Sequence, residues 1–173
     1  MTRVAVSDDG LTFVARPEIL GPAYFRVFDN DEYSYALSMP DHLSRSKDGV
    51  SAFEEGCRLG IPAARHTAVM RVGSQLFVFW TEIGDMPERI FVGHVDLDAD
   101  WTQWRIAGRQ EVLRPELNYE GADCPIEPSV PGSAYGRLNQ LRDPYLFQTE
   151  GRWYLFYATA GESGIAVVEI IPV

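Results

Sequence analysis

Three stretches of the chain repeat one pattern, and this repeat constrains the fold more than any other feature of the sequence. Each stretch has a strand-like segment, a tight polar turn and an aromatic strand-like segment, in residues 23–39, 66–82 and 143–159. The turns "FDNDE", "RVGSQ" and "TEGR" carry residues that favour chain reversal. When the second segments are aligned, the residues at the head of the first segments are Ala23, His66 and Asp143.

Further strand-like segments extend each repeat. A third follows every pair, and a fourth is predicted in the first two units, around residues 50–56 and 101–108. Units of four strands at a period of about 40–50 residues are typical of β-propellers. Residues 4–20, "VAVSDDGLTFVARPEIL", resemble the outer half of a preceding unit. The alternative is an ordinary β-sandwich or barrel that contains three separate hairpins.

We therefore predict an all-β, β-propeller-like fold of about three four-stranded blades, forming a propeller that is partial or completed by oligomerisation. The predicted single domain has these parts: half a blade at 1–20, blades at 21–60 and 61–115, an inter-blade insertion at 116–140, and a C-terminal blade at 141–173.

Composition excludes several classes of protein. The 173 residues are 46% hydrophobic, enough to build a core, and carry a net charge of -10. This charge argues against a nucleic-acid partner, which would need a basic surface. No apolar run approaches the roughly 20 residues of a membrane span, and the first residues lack the apolar segment of a signal peptide. We therefore expect a cytoplasmic protein with no membrane partner. Cys57 and Cys124 have no zinc-ligand spacing.

The last repeat carries a family resemblance. "LRDPYLF", followed by "GRWYLFYATAGESGIAVVEI", resembles a blade of the five-bladed β-propeller glycoside hydrolases, which include arabinanases, β-xylosidases and invertases. "VSDDGLTF" resembles a turn between the third and fourth strands of such blades. The resemblance extends over nearly the whole chain, as a C-terminal part of about three blades. Five blades of about 50 residues each would need about 250 residues.

The resemblance implies that Asp143 is a carboxylate in the central funnel, where it stabilises a transition state or binds a substrate. Glycoside hydrolysis needs two carboxyl groups, and Glu162 and Glu88 are the candidates for the second catalytic role. Both lie in turns that follow the second strand of a unit. The alternative for Asp143 is a salt bridge with Arg142 that ties neighbouring blades together.

Basic residues beside the strand heads are candidate ligands for a substrate. Arg65 and Arg142 precede His66 and Asp143, and a guanidinium group binds carboxylates or hydroxyls in a fixed geometry. His66 is a candidate for substrate binding, and the resemblance implies a metal role for it, at a calcium ion in the central channel. A structural role for His66 is the alternative. No other cofactor is predicted.

The insertion supplies two more candidates. Glu120 and Asp123, in "YEGAD", are predicted to bind substrate because a long ordered loop is often functional. The alternative is a solvated acidic loop.

Three functions are compatible with the sequence. The first is a glycoside hydrolase-like enzyme acting on a glycan. The second is a non-catalytic module that binds a carbohydrate or another small ligand. The third is a self-assembling module without activity. Ala23, at the head of the first unit, cannot act as an acid or a base. An open set of blades exposes apolar faces, so we expect a homo-oligomer, a dimer that completes the propeller, unless the chain is part of a longer protein.

Overall fold

The computed structural model describes residues 1–171, and within this range the chain is all-β. Thirteen strands form four antiparallel sheets, and two short 3₁₀ helices, Trp101–Gln103 and Asn118–Glu120, lie in the connections. The described residues include no helix of the length and apolar character needed to cross a membrane. The prediction of an all-β fold built from successive antiparallel units is confirmed.

Two sheets have four strands each, in which every strand pairs with the next one along the chain. The first sheet consists of β3 to β6, at Arg26–Asn30, Tyr33–Ser38, His42–Ser46 and Glu54–Arg58. The second sheet consists of β7 to β10, at Ala64–Val72, Gln75–Glu82, Ile90–Asp96 and Ala107–Leu113.

The remaining strands form a three-stranded sheet and a short hairpin. The third sheet consists of β11 to β13, at Arg142–Thr149, Arg152–Thr159 and Gly164–Ile170. The N-terminal hairpin pairs β1, at Ala5–Val6, with β2, at Val14–Ala15. An antiparallel backbone pair between Thr2 and Gly21 ties the hairpin to the segment that enters the first sheet.

The second sheet lies between the other two and has apolar side chains on both faces. Along β8, Leu76, Val78 and Trp80 face the first sheet, whereas Phe77 and Phe79 face the third. Successive side chains of a strand point to opposite faces, so β7, β8 and β9 contribute to two cores. One core packs around Trp80 and the two tryptophans of the β9–β10 connection, and the other packs around Phe79 and Leu155. Burial on both faces explains why the sequence of β8 is almost continuously apolar.

The third sheet is also apolar on both faces, although only one of them is covered. Leu155 and Tyr157 face the second sheet and are buried. The other face, which we call the outward face, presents cross-strand neighbours in register: Tyr145, Phe156 and Val167 form one row, and Ala158 and Ile165 lie in the next. Much of this face is open to solvent, with Ile165 81% exposed.

The predicted fourth strand at residues 101–108 was wrong in its first half. Residues Trp101–Gln103 form a 3₁₀ helix, and β10 begins only at Ala107. Asp100 caps this helix because its Oδ1 accepts a hydrogen bond of 2.9 Å from the backbone N–H of Thr102. The turn places the indoles of Trp101 and Trp104 in the first core, where both are buried. Tertiary packing of the two indoles thus prevails over the strand-like pattern.

We expect Leu155→Ala to lower the free energy of unfolding by about 3 kcal/mol, because it leaves a cavity in the core between the second and third sheets. Leu117→Ala, at a half-exposed position in the insertion, is the matched control and should change stability by less than about 0.5 kcal/mol. Urea denaturation measures both. Similar losses for the two variants would contradict the placement of Leu155 in this core.

Candidate functional site

The innermost strands of the second and third sheets each begin with a β-bulge. In β7, the register with β8 shifts between Ala64 and Thr67, and in β11 the register with β12 shifts between Arg142 and Tyr145. In both cases two residues on the inner strand, 65–66 and 143–144, oppose one on its partner. An extra residue of this kind bends the strand and turns a side chain away from the regular pleat.

The bulges bring His66 and Asp143 together. Nδ1 of His66 contacts Oδ1 of Asp143, which links the second sheet to the third. Asp143 has a φ of 50°, in the left-handed region that non-glycine residues rarely adopt. A sparsely populated conformation of this kind is retained where the surrounding structure enforces it, and such residues cluster at functional sites.

The first sheet contributes Tyr24 to this group, rather than the Ala23 that the repeat alignment placed there. The ring of Tyr24 packs edge-on against His66, with centroids 4.2 Å apart and an interplanar angle of 71°. Tyr24 also has a positive φ, of 64°. The inner ends of the three sheets therefore meet at Tyr24, His66 and Asp143.

A cleft of about 330 Å³ opens around these three residues. Its remaining walls come from all three sheets and from the insertion, through Arg26, Met39, Arg65, Gly132, Ser133 and Glu162. A second, larger opening of about 660 Å³ runs from the cleft along the outward face of the third sheet. Asp143 and Glu162 border both openings, so these two carboxylates stand where the polar cleft meets the apolar face.

A buried ion cluster lies beneath the cleft. Oε1 of Glu88 is 2.9 Å from Nε of Arg65, and Oε2 of Glu88 is 3.0 Å from Nε of Arg142. The Glu88 side chain is 0% exposed and both arginines are buried. Nη1 of Arg142 continues the cluster to Oε1 of Glu162, at 3.1 Å. Glu88 therefore has no direct contact with the cleft and instead positions the arginines beneath it.

The same two arginines hold the insertion against the sheets. The carbonyl oxygen of Gly132 accepts hydrogen bonds of 3.1 Å from Nη1 of both Arg65 and Arg142, and that of Val130 accepts one of 2.6 Å from Arg65. Oε1 of Glu162 accepts a further bond of 3.0 Å from the backbone N–H of Ala134. These bonds satisfy buried guanidinium donors with loop carbonyls and fix Gly132 and Ser133 at the rim of the cleft.

Burial holds His66 in its neutral form. Desolvation, together with the positive charges of Arg65 and Arg26, lowers the pKa of His66 to about 4. At neutral pH the imidazole is uncharged, and its Nδ1 lies against Oδ1 of Asp143. A neutral imidazole of this kind orients the carboxylate of Asp143 without cancelling its charge.

The two predicted acids of the insertion lie outside the cleft. Glu120 is buried; its Oε1 accepts a 2.8 Å hydrogen bond from the hydroxyl of Tyr157, and its Oε2 accepts bonds from the backbone N–H groups of Glu116 and Leu117. Burial and this bond raise the pKa of Tyr157. Asp123 pairs with Arg137 at 2.7 Å on the surface, which lowers its pKa. Both acids therefore shape the insertion itself.

The donor set around His66 is small for a metal site. Within residues 1–171, no three His, Cys, Asp or Glu side chains are grouped closely enough to hold an ion. His66 and Asp143 alone provide fewer protein ligands than the six to eight oxygens that calcium usually collects. The calcium role implied for His66 consequently has no complete ligand set among these side chains.

Sequence reasoning missed Tyr24, Arg26 and the carbonyl groups of the insertion. The repeat alignment was one residue off at Tyr24, because it matched Tyr33 with Leu76, whereas the strand registers make Tyr33 equivalent to Gln75. The pair "AY" after "GP" gives no sign of a positive φ. The loop carbonyls carry no side-chain signal, although the density of Pro and Gly at residues 125–136 did mark the loop as unusual.

We expect Glu88→Gln to cost about 3 kcal/mol of folding free energy, because two buried guanidinium groups would lose their shared carboxylate. Glu169→Gln is the matched control: Glu169 lies 3.7 Å from Arg152 on the surface, and its loss should cost less than about 0.5 kcal/mol. Urea denaturation of both variants gives the comparison. Equal costs would show that the buried cluster contributes no more than a surface pair.

The neutral state of His66 should make stability depend on pH. Between the folded pKa of about 4 and the unfolded value near 6.5, the unfolded chain binds more protons, so stability falls as pH decreases through this window. From about pH 7 to about pH 5 the wild type should lose about 1 kcal/mol more than His66→Gln, a value that allows for partial solvation of the ring. His42→Gln, at an exposed histidine, should keep the wild-type slope. A His66→Gln slope equal to that of the wild type would refute this coupling.

Comparison of sequences identifies a viral relative. No family model matches the chain. "Uncharacterized protein R118" of Acanthamoeba polyphaga mimivirus is 39% identical over 183 aligned positions, which cover 96% of this chain and 51% of that protein. The chain thus spans about half the length of this curated relative.

Comparison of structures finds propeller enzymes. The GH43_1 enzyme from Xanthomonas citri, solved with xylotriose, matches 91% of this chain and 56% of its own length, with a TM-score of 0.53 and 14% identity. The endo-1,5-α-L-arabinanase from Thermotoga petrophila RKU-1 matches 90% of this chain and 40% of its own, with a TM-score of 0.51 and 13% identity. The α-L-arabinanase of Cellvibrio cellulosa, solved with arabinohexaose, matches 84% and 52%, with a TM-score of 0.50 and 11% identity. The resemblance drawn from the repeats is confirmed at the level of the fold: the chain is folded as about three blades of a β-propeller like those of these glycoside hydrolases.

Proposed function

We propose that the chain is a carbohydrate-binding propeller module whose ligand occupies the cleft between Tyr24, His66 and Asp143. The observation that carries the proposal is that Asp143 and Glu162 border one cleft next to an aromatic surface. Carboxylates accept hydrogen bonds from hydroxyl groups, and an apolar wall with a few polar groups is the usual composition of a ligand site. A sugar offers both the hydroxyl groups and the apolar ring faces that such a site would contact.

The nature of the structural neighbours supports a glycan ligand. Two of them were solved with linear pentose oligosaccharides, xylotriose and arabinohexaose. A short oligosaccharide of this type is therefore the first ligand to test. The chain covers only about half of these enzymes, so a whole enzyme's activity is not carried over with the fold.

The surroundings of the three candidate acids favour binding over hydrolysis. Hydrolysis requires one carboxyl group to stay protonated while a second is ionised, and an apolar or like-charged environment is what keeps an acid protonated. Here Asp143 contacts His66, and Glu162 lies 3.1 Å from Arg142. Glu88, the third candidate, is sealed beneath the cleft by two arginines. Each acid thus lies beside a polar or cationic partner, and not in the apolar or like-charged setting that a general acid requires.

Glycoside hydrolysis is the second candidate function, because Asp143 and Glu162 both border the cleft and stand on neighbouring segments of one sheet. In this arrangement Asp143 would stabilise developing positive charge on the sugar, and Glu162 would act as the proton donor. The two candidate functions differ in whether the bound sugar is hydrolysed. Binding and hydrolysis can both be measured on one protein preparation.

We expect isothermal titration to detect binding of arabino- or xylo-oligosaccharides by the wild type, and Asp143→Asn to weaken it by about 10-fold to 100-fold, because a charged hydrogen-bond acceptor is lost. Asn tolerates the left-handed backbone of this position, so the fold should persist, as circular dichroism would verify. Asp98→Asn, at an exposed turn, is the control and should bind like the wild type.

The same proteins should be incubated with aryl arabinosides and xylosides. Turnover that disappears in Asp143→Asn would select the hydrolase over the binding module. The absence of both binding and turnover with either sugar series would contradict the carbohydrate proposal.

A further inference from the structure

The outward face of the third sheet has the composition of an interior. Sheets with one solvated face normally alternate apolar and polar residues, whereas here both faces are apolar. Tyr145 and Phe147 are each about half exposed, and Val167 is 49% exposed. A contiguous apolar surface of this kind marks a site of association.

The N-terminal hairpin is a second apolar element without cover. Val14 and Phe13 are exposed, and Leu11 at the turn is 87% exposed. Both hairpin strands are exposed over their full length. A two-stranded hairpin gains little stability in water by itself, so its apolar side chains need another surface.

These two apolar elements belong to opposite ends of the stack of sheets. The antiparallel pair Thr2–Gly21 ties the hairpin to the entry of the first sheet, and the outward face looks away from the second sheet. Because both remain exposed, they do not cover one another within a single chain.

We propose that the outward face of the third sheet is an interface for a second copy of this chain, whose N-terminal hairpin lies against it. A head-to-tail contact of this kind can close on itself with two copies, and each copy then uses both elements. Within residues 1–171 the third sheet has three strands where the others have four, so β13 is an edge that a hairpin strand can extend. Additional interactions would come from the continuous apolar rows beside that edge.

The interface would also complete the cleft. The larger opening lies between the outward face and the cleft, and it is bordered by Asp143 and Glu162. A second copy on this face would form the wall that is open in the single chain. The proposal does not depend on which ligand the cleft takes, since association is measured without one.

The test is the oligomeric state of purified chain by light scattering. We expect a dimer at micromolar concentration, and Val167→Glu should raise its dissociation constant by about 100-fold or more, because a charge would be buried in an apolar contact. Val72→Glu is the matched control: Val72 also lies on a strand and is 45% exposed, but on the second sheet, and it should leave the dimer intact. Circular dichroism verifies that each variant is folded.

Phe13→Glu, on the hairpin, should disrupt the dimer in the same way. Mixing Phe13→Glu with Val167→Glu leaves one unaltered contact in a two-copy ring, so the mixture should recover part of the association. A wild type that is monomeric at tens of micromolar overturns the proposal, as does a dimer that survives Val167→Glu. A third outcome is that Val167→Glu loses the dimer, Phe13→Glu keeps it, and mixing restores nothing. This result would show that the hairpin is not what occupies the outward face.

Discussion

The ion cluster of Glu88 with Arg65 and Arg142 is the interaction on which the arrangement of the site depends. The backbone of Glu88 accepts a hydrogen bond from Leu141, and its side chain binds the arginines at the heads of β7 and β11. The arginines in turn bind the insertion through its carbonyl groups. One buried carboxylate thus fixes the second sheet, the third sheet and the loop relative to each other. Because burying an unpaired charge is so unfavourable, these parts hold their geometry only as a set.

The cleft has two chemically different sides as a consequence. The side toward the second sheet is polar and rigid, since Arg65 is buried and held by several partners and the partly buried His66 lies against Asp143. The side toward the outward face is apolar and open. A ligand with hydroxyl groups along one edge and a carbon face along the other would satisfy both sides at once. This division places Asp143 and Glu162 at the boundary, whereas Glu120 and Asp123 lie outside the cleft.

The sequence allowed the strands, their order and the repeating unit to be predicted, because alternating aromatic residues and turn residues report local structure directly. Asp143 and His66 could be brought together from the repeat, since equivalent positions of stacked sheets meet at the axis. Tyr24 could not, because the alignment matched Tyr33 with Leu76, whereas the hairpin registers make Tyr33 equivalent to Gln75. The role of Glu88 could not be predicted either, because the sequence does not distinguish a carboxylate that faces a ligand from one that faces two buried arginines. Packing across sheets, and not local pattern, decides such cases.

The left-handed backbone of Asp143 limits which residues selection can place there. Aspartate and asparagine adopt this conformation more readily than other side chains, and Pro144 follows directly. Glutamate would bring a similar charge, but with a longer side chain and a poorer backbone preference. The backbone therefore disfavours replacement of Asp143 by glutamate. Replacement by asparagine, which needs a single base change, suits the backbone and removes the charge. If the cleft binds the proposed ligand, this one change removes the carboxylate from the site while the architecture stays intact.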